Sequence, residues 1–522
     1  MKRLVIISAA GALIYFVIWM VLASPYRAIP SDDIKFFYFI EQRGNSQALQ
    51  SPYPILLISL KVFKKIWSVF SNNSLSVLLF SAVISNSIIL FLLSILVYRI
   101  SENITASIAS MILYGTSAWP ANYYFFYSYT PFAAMLVFAS LFFAIEAHLN
   151  EKRRAFFIVL SGSVLGLYLW SSSSAVLMVF LCFSIFLYFN LADLRTNRKN
   201  LIVYTISFYS IAAPFISSAY IYVKGGLLEN IHSVHYLDAT QKFGYIPKSL
   251  LFSFFYIGGT YNLLLFIFFI FITLFFIIMV ISTKWRRNME EKFLQKEKIL
   301  FVLLAIIWIH LVTIDILPFT KLGRTHFVVY PMLILASVSI SYFGIFYYYY
   351  KYKKYLLIFV LILIISIVYT NIMFSSKLIY IKTFAPKYLS SISQKIQLYT
   401  LENDPHSRPI MTWLKGFNVI EIKLEELIHK IHLTKGQEIG LIIGPNGEGS
   451  GLSIMQHCTF NDFLIEKQYE DYLQGAQRRI SLPYYSTFPS FLFEEEVCQA
   501  LYFEGKVSKH DEILLLIWDN LS

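Results

Sequence analysis

The sequence predicts a polytopic α-helical membrane protein of about eleven transmembrane helices followed by a soluble α/β domain of roughly 145 residues. Three observations predict it. The 522 residues are 57% hydrophobic and 14% charged, with a mean hydropathy of +0.61, so one soluble core cannot enclose the apolar side chains and the bilayer must be their main solvent. Apolar runs of spanning length recur as far as residue 374 and then stop. Basic loops alternate in register with those runs.

The first run, Leu4 to Ala23, follows Lys2-Arg3. It is long for a secretory signal and lacks a small-x-small cleavage pattern before the next run, so it reads as a retained first helix. Further runs occupy 75–98, 104–119, 130–148, 156–170, 173–190, 201–223, 258–282, 299–317, 326–350 and 355–374. Between them Lys152-Arg153-Arg154, Arg195 with Arg198 and Lys199, six Lys/Arg in 284–298, and Lys351, Lys353 and Lys354 fall on one side. The positive-inside rule makes that side the cytoplasm and places the N-terminus there. Segments 24–74, 224–257, 318–325 and everything after 375 then lie outside. The bias is 18 basic residues inside against 11 in the outer membrane-proximal segments, so several outer cations require function or lipid contact to explain them. Within the first outer segment, Pro54–Phe70 is too polar to span; Lys61, Lys64 and Lys65 punctuate apolar residues at helical spacing, as in an amphipathic helix lying in the outer interface.

The chain divides accordingly into a membrane part, 1–375, and an extracytoplasmic part, 376–522. The net charge of +12 belongs to the first: residues before 376 carry 29 Lys+Arg and 13 Asp+Glu, residues 376–522 carry 14 and 18. Phosphate headgroups are the evident partners of that basic excess, and nucleic acid is not expected as a partner. After Phe374 strand-like runs Phe417–Ile422, Ile439–Ile443 and Ile513–Trp518 alternate with helix-like stretches 422–432, 461–478 and 491–504, the pattern of a small α/β domain. Of three cysteines, Cys182 falls within a membrane run, whereas Cys458 and Cys498 share the C-terminal part, where an oxidising compartment permits but does not demand a disulfide.

Candidate chemistry concentrates in the outer loops. The first carries Pro30-Ser31-Asp32-Asp33 and, further on, Tyr38 and Ser51-Pro52-Tyr53-Pro54. Two adjacent carboxylates above a bilayer are either used chemically or form a helix start, Ser31 as N-cap with Asp32 and Asp33 complementing the dipole. In 224–257, Glu229, His232, His235 and Asp238 have a spacing that admits a metal but also ordinary loop polarity. Asp315 sits near the end of a membrane run, where an ionisable group is a functional candidate or simply reaches water. Gly444-Pro445-Asn446-Gly447-Glu448-Gly449-Ser450-Gly451 lacks the lysine of a phosphate loop, Ser450 standing in its place, and reads as a glycine-rich turn.

An acidic pair soon after the first helix, an aromatic several residues on, a Pro-x-Pro step into an interfacial helix, Ala118-Trp119-Pro120 running into a helix, and Lys321-x-x-Arg324 before Tyr330-Pro331 together resemble the GT-C membrane glycosyltransferases. The likeness is to the protein O-mannosyltransferase and aminoarabinose transferase branch, over residues 1–350. The resemblance implies an inverting transfer of sugar from a polyprenyl-phosphate donor to an envelope acceptor (lipid, glycan or protein) on the outer face of a bacterial inner membrane. Asp33, or its neighbour Asp32, becomes the general base. Arg324, Lys321, Lys248 and Lys242 are the cations available to the departing phosphate, and Tyr38 and His235 the candidates to touch substrate. No cofactor is certain from the resemblance; a divalent metal stays possible, though no Glu precedes Pro52 and Thr130 stands where a second Asp is common. Two other classes compete. A transporter of lipid-linked sugars would place paired charges or broken helices near the midplane, and an inactive scaffold would use the helices as mere anchors.

Overall fold

The computed structural model describes residues 2–23, 29–30, 54–71, 74–117, 120, 126–127, 130–169, 194–223, 268–274, 277, 299–300, 303–308, 333–339, 354–402, 414, 417–433, 438–443, 476–483 and 512–519. The membrane part contains α1 (Lys2–Ala23), α2 (Pro54–Trp67), α3 (Ser74–Ser101), α4 (Ile104–Thr116), α5 (Thr130–Leu149), α6 (Arg154–Leu169), α7 (Leu194–Val223) and α8 (Lys354–Ile392), with two two-residue strands, β1 (Ile29–Pro30) and β2 (Phe126–Tyr127). Among the described residues three helices are long and apolar enough to cross a membrane: Lys2–Ala23, Ser76–Ser101 and Pro131–Leu149. α1 is apolar all round and exposes Ile6, Leu13, Val17 and Val21, as a helix with lipid at its back does. Described residues of the runs 258–282, 299–317 and 326–350 are helical, and 173–190 lies outside them.

Small polar residues, not bulky apolar knobs, set how these helices meet. Ser8, near the start of α1, shares a 2.7 Å hydrogen bond with Ser94, near the end of α3, so the two run antiparallel. The Ser94 hydroxyl lies 2.8 Å from that of Ser107 on α4, and Ser107 donates to the Ser94 carbonyl. On α5 and α6 the reciprocal bonds from the Ser140 hydroxyl to the Ser161 carbonyl (2.8 Å) and from Ser161 to the Ser140 carbonyl (2.9 Å) close an antiparallel contact. All are buried, where an apolar surround leaves a hydroxyl no other partner; each such bond contributes about 0.6 kcal/mol.

α6 and α7 approach closely through Gly162 and Gly166. A Cβ on Gly162 would lie 2.6 Å from the Tyr204 carbonyl oxygen, and one on Gly166 would lie 2.8 Å from the Ile211 Cβ. The order of these contacts makes α6 and α7 parallel. This is the small-xxx-small device of close-packed membrane helices.

At the opposite end from β1, Arg99 of α3 grips Glu146 of α5 with a forked pair, Nε to Oε1 at 2.9 Å and a second nitrogen to Oε2 at 3.2 Å. Glu146 is buried and Arg99 half-buried. Asn103 caps α4 by accepting from the backbone N–H of Thr105 and Ala106, and Glu102, at φ 53°, makes the left-handed step between α3 and α4.

The last helix, α8, continues for 39 residues, about 58 Å at 1.5 Å per residue and nearly twice a hydrocarbon core. Residue 376, where the sequence reading begins the C-terminal part, therefore lies inside a helix. Beyond it five strands form one sheet in the order β4 (Ile420–Ile422), β3 (Gln397–Leu401), β5 (Glu438–Ile443), β7 (Glu512–Asp519), β6 (Arg478–Pro483). β3 is parallel to β4 and β5, while β7 is antiparallel to β5 and β6. Alternation of side chains divides the buried residues between two faces. Leu398, Ile442, Leu482, Leu515 and Ile517 join the cluster that includes Leu389 of α8. Tyr399, Leu441, Ile443, Leu516 and Trp518 form a second cluster with Leu427 of α9 (Leu424–Leu433). The strand-like runs expected at 417–422, 439–443 and 513–518 coincide with β4, β5 and β7.

Candidate functional site

The end of the bundle where α1 finishes and α3 begins is built from aromatic and amide side chains. The Tyr15 ring lies 6.4 Å from Trp19 and 6.3 Å from Tyr114. Tyr114 donates its hydroxyl to Asn86 Oδ1 at 2.6 Å, and Asn86 donates to the Ala82 carbonyl at 3.1 Å. Because Asn86 and Tyr114 are fully buried, this pairing fixes the α3–α4 contact: removing either partner would strand a polar group in an apolar interior.

Above this floor β1 pairs with β2 in parallel register, Ile29 opposite Phe126 and Pro30 opposite Tyr127. Pro30 precedes Asp32 by two residues. Ile29 and Pro30, just ahead of Asp32 in the sequence, are thus held against Phe126 and Tyr127, between α4 and α5 in the chain. The same α4 end receives α8: Ser375 donates to the Thr116 carbonyl at 2.9 Å, and Asn371 to the Thr116 hydroxyl at 3.4 Å. A helix leaves its last carbonyls without intrahelical partners, and Ser375 satisfies one of them. α8 consequently ties the C-terminal sheet to the helix end from which the chain leads to β2.

α2 docks beside these elements. Trp67 stacks on Phe80 at 4.9 Å and donates Nε1–H to Ser76 at 2.8 Å; Phe63 and Phe16 meet the same Phe80 edge-on at 5.6 and 5.8 Å. Aromatic pairs of this geometry contribute about 0.5–1.5 kcal/mol each beyond area burial, so the helix is held to the bundle end and not merely tethered.

The candidate residues themselves, Asp32, Asp33, Tyr38, His235, Lys242, Lys248, Lys321 and Arg324, lie outside the described residues, as do Glu229, His232, Asp238, Asp315, the glycine-rich 444–451 and all three cysteines. Among the described residues no group of three or more His, Cys, Asp or Glu could hold a metal. Three positioning features escape the sequence reading: the Asn86–Tyr114 pair, the Ser375–Thr116 cap and the Arg99–Glu146 fork. Their only sequence signal is a polar or charged residue within an apolar run or at its edge.

No protein-family model and no curated protein matches the chain. Its fold matches solved structures. ArnT from Cupriavidus metallidurans in the apo state superposes with a TM-score of 0.51 over 100% of this chain and 98% of that chain, at 12% identity. ArnT bound to undecaprenyl phosphate gives 0.51 over 99% and 98%, again at 12% identity. The oligosaccharyltransferase of Archaeoglobus fulgidus gives 0.45 over 79% and 64%, at 13% identity. The fold expected from the motif resemblance is thus the fold that this chain shares with ArnT over its full length.

Proposed function

We propose that the protein is an inverting glycosyltransferase of GT-C type, moving a sugar from a polyprenyl-phosphate donor to an envelope acceptor at the outer face of a bacterial inner membrane, with its N-terminus cytoplasmic and residues 376–522 outside. The observation that carries the reading is the full-length match to the ArnT fold; the β1–β2 pairing supports it by holding Ile29 and Pro30, which directly precede Ser31, Asp32 and Asp33 in the sequence, beside Phe126 and Tyr127. Undecaprenyl phosphate bound to that ArnT supports it as well.

The chemistry follows from what a lipid-phosphate leaving group demands. Asp33, seconded by Asp32, takes the proton of an acceptor hydroxyl or amine as that atom attacks the anomeric carbon. The bond from that carbon to the phosphate oxygen breaks, inverting configuration, and the electron pair leaves on polyprenyl phosphate. General-base assistance of this kind contributes about two to four powers of ten. The phosphate regains negative charge as it departs, so fixed cations stabilise the transition state more than the ground state. Arg324 suits this best, because a guanidinium fork holds two oxygens where an ammonium holds one; Lys321, Lys242 and Lys248 supply further charge.

In the three described helices long and apolar enough to cross a membrane, charges lie only near the ends: Lys2 and Arg3, Arg99, and Glu146, which is forked to Arg99. A transporter would be expected to keep them near the midplane. The test is lipid binding by the purified full chain: native mass spectrometry should show undecaprenyl phosphate retained in preference to equimolar phosphatidylglycerol. Equal retention of the two would remove the basis for a polyprenyl-phosphate donor.

A further inference from the structure

Buried serines in these helices settle their hydroxyls in one of two ways. Ser85 and Ser87 of α3 donate to the carbonyl one turn back, whereas Ser8, Ser94 and Ser107 bond to one another between helices. Ser81 does neither. It is only 1% exposed, yet its hydroxyl has no hydrogen-bond partner, the only buried serine hydroxyl so left among the described residues. A helical serine can turn to the carbonyl four residues back; Ser81 does not use that of Val77, so its hydroxyl is directed away from its own helix. An unpaired hydroxyl in an apolar interior costs free energy, and its retention calls for a partner that the free protein does not supply.

Helix geometry identifies where that partner would sit. Ser81 precedes Arg99 by 18 residues, which is five turns, so both stand on one face of α3. Arg99 on that face reaches Glu146 of α5. Counted back 16 residues along both helices from this fork, Val83 comes level with Thr130, the first residue of α5. Ser81 therefore stands about 3 Å beyond the start of α5, at the end where α3 also packs against β2. α5 opens on Thr130-Pro131 with no acidic residue in its first turn. Pro131 has no N–H, and those of Phe132 and Ala133 have no intrahelical acceptor; they present the positive end of the dipole. β2 ends three residues before this start and pairs with Pro30, two residues before Asp32.

A helix N-terminus favours an anion, and the orphan hydroxyl beside it adds a fixed donor. On the reading of the protein as a polyprenyl-phosphate-dependent transferase, we infer that Ser81 and the first turn of α5 form a subsite for the donor's phosphate. Ser81 donates to one phosphate oxygen, and the N–H groups of Phe132 and Ala133 face the same group. These neutral donors supplement the cations assigned from the sequence, and they hold the phosphate beside the segment that leads into Asp32 and Asp33.

The test compares binding of undecaprenyl phosphate and of undecaprenol to the purified full chain in nanodiscs, because the two lipids differ only in the phosphate. The parent should prefer undecaprenyl phosphate. Loss of one hydrogen bond to a charged group weakens binding about tenfold or more, so Ser81→Ala should cut that preference about tenfold. Ser85→Ala removes a hydroxyl already bonded to the Ser81 carbonyl and should leave the preference unchanged. Without lipid, the thermal midpoint of Ser81→Ala should be no lower than the parent's, since the hydroxyl removed makes no bond there. A preference unmoved by Ser81→Ala, or moved equally by Ser85→Ala, would overturn the subsite and leave the donor reading standing. A fall in the lipid-free midpoint of Ser81→Ala would also overturn it, by making Ser81 a packing residue. No preference in the parent would overturn the donor reading and the subsite together.

Discussion

Adding one methyl group at Gly166 tests how closely α6 and α7 must approach. The new Cβ would stand 2.8 Å from the Ile211 Cβ and 2.9 Å from the Phe208 carbonyl oxygen, about 1 Å inside ordinary carbon contact. Neither obstacle is the tip of a flexible chain, so the helices must separate, at a cost of about 1–3 kcal/mol. Alanine in a helix interior recovers about 1 kcal/mol over glycine. Gly115 provides the control, because its nearest neighbours would be at 3.6 Å, on Tyr15, and 3.7 Å, on Leu90; there the propensity gain is unopposed. Gly11 is intermediate: its close contact, 2.8 Å, is to the sulfur of Met111, which rotates away cheaply. Gly166→Ala should therefore fall below Gly115→Ala by about 2 kcal/mol, with Gly11→Ala near the parent. The assay is the midpoint of thermal aggregation in detergent, read by size exclusion on each purified variant. Equal shifts of the same sign at Gly166 and Gly115 would refute the close-packed α6–α7 contact.

Other outcomes follow from the same geometry. Glu146→Gln should destabilise by about 1–3 kcal/mol, less than for a fully buried pair because Arg99 keeps some access to water; Arg99→Met with Glu146→Leu should recover most of the loss in the same thermal assay. Arg324→Lys should slow sugar transfer about tenfold or more, through loss of one charge-assisted hydrogen bond to phosphate, and a KM change without a rate change would argue for a lipid anchor instead. A phosphatase that works only outside the cytoplasm, fused after Ser393 just beyond α8, should be active; an inactive fusion in a stably inserted chain would reverse the topology.

What the sequence made legible was whatever depends on local periodicity. Runs of spanning length coincide with α1, α3, α5 and α7 because a helix in lipid satisfies its own backbone and needs no distant partner. The lysine-punctuated Pro54–Phe70 is α2 followed by a turn. β5 and β7 were readable as short apolar runs because both of their faces are buried. β3 was not, since Gln397-Leu398-Tyr399-Thr400-Leu401 mixes polar and apolar types until two separate clusters claim alternate residues. The extension of α8 past 375 was hidden for a related reason: Phe384, Tyr388 and Leu389 face the bundle-and-sheet core, so its pattern is amphipathic and not spanning. Pairings such as Arg99 with Glu146, 47 residues apart, and Ser375 with Thr116, 259 apart, have no local signal. The catalytic candidates fall in segments that the sequence reads as loops, and their assignment rests on motif resemblance.

The central claim, that a carboxylate of the first outer loop removes the acceptor's proton, is tested most directly by Asp33→Asn, Asp32→Asn and the double variant. Washed membranes containing equal amounts of each protein are supplied with a panel of undecaprenyl-phosphate sugars, and release of undecaprenyl phosphate coupled to acceptor glycosylation is measured. Asparagine keeps size and hydrogen bonding while abolishing basicity, so the parent chain should transfer at least one sugar and Asp33→Asn should lose about two to four powers of ten in rate. Full transfer by both single variants and by the double variant would contradict the account and leave Ser31, Asp32 and Asp33 as a capped helix start.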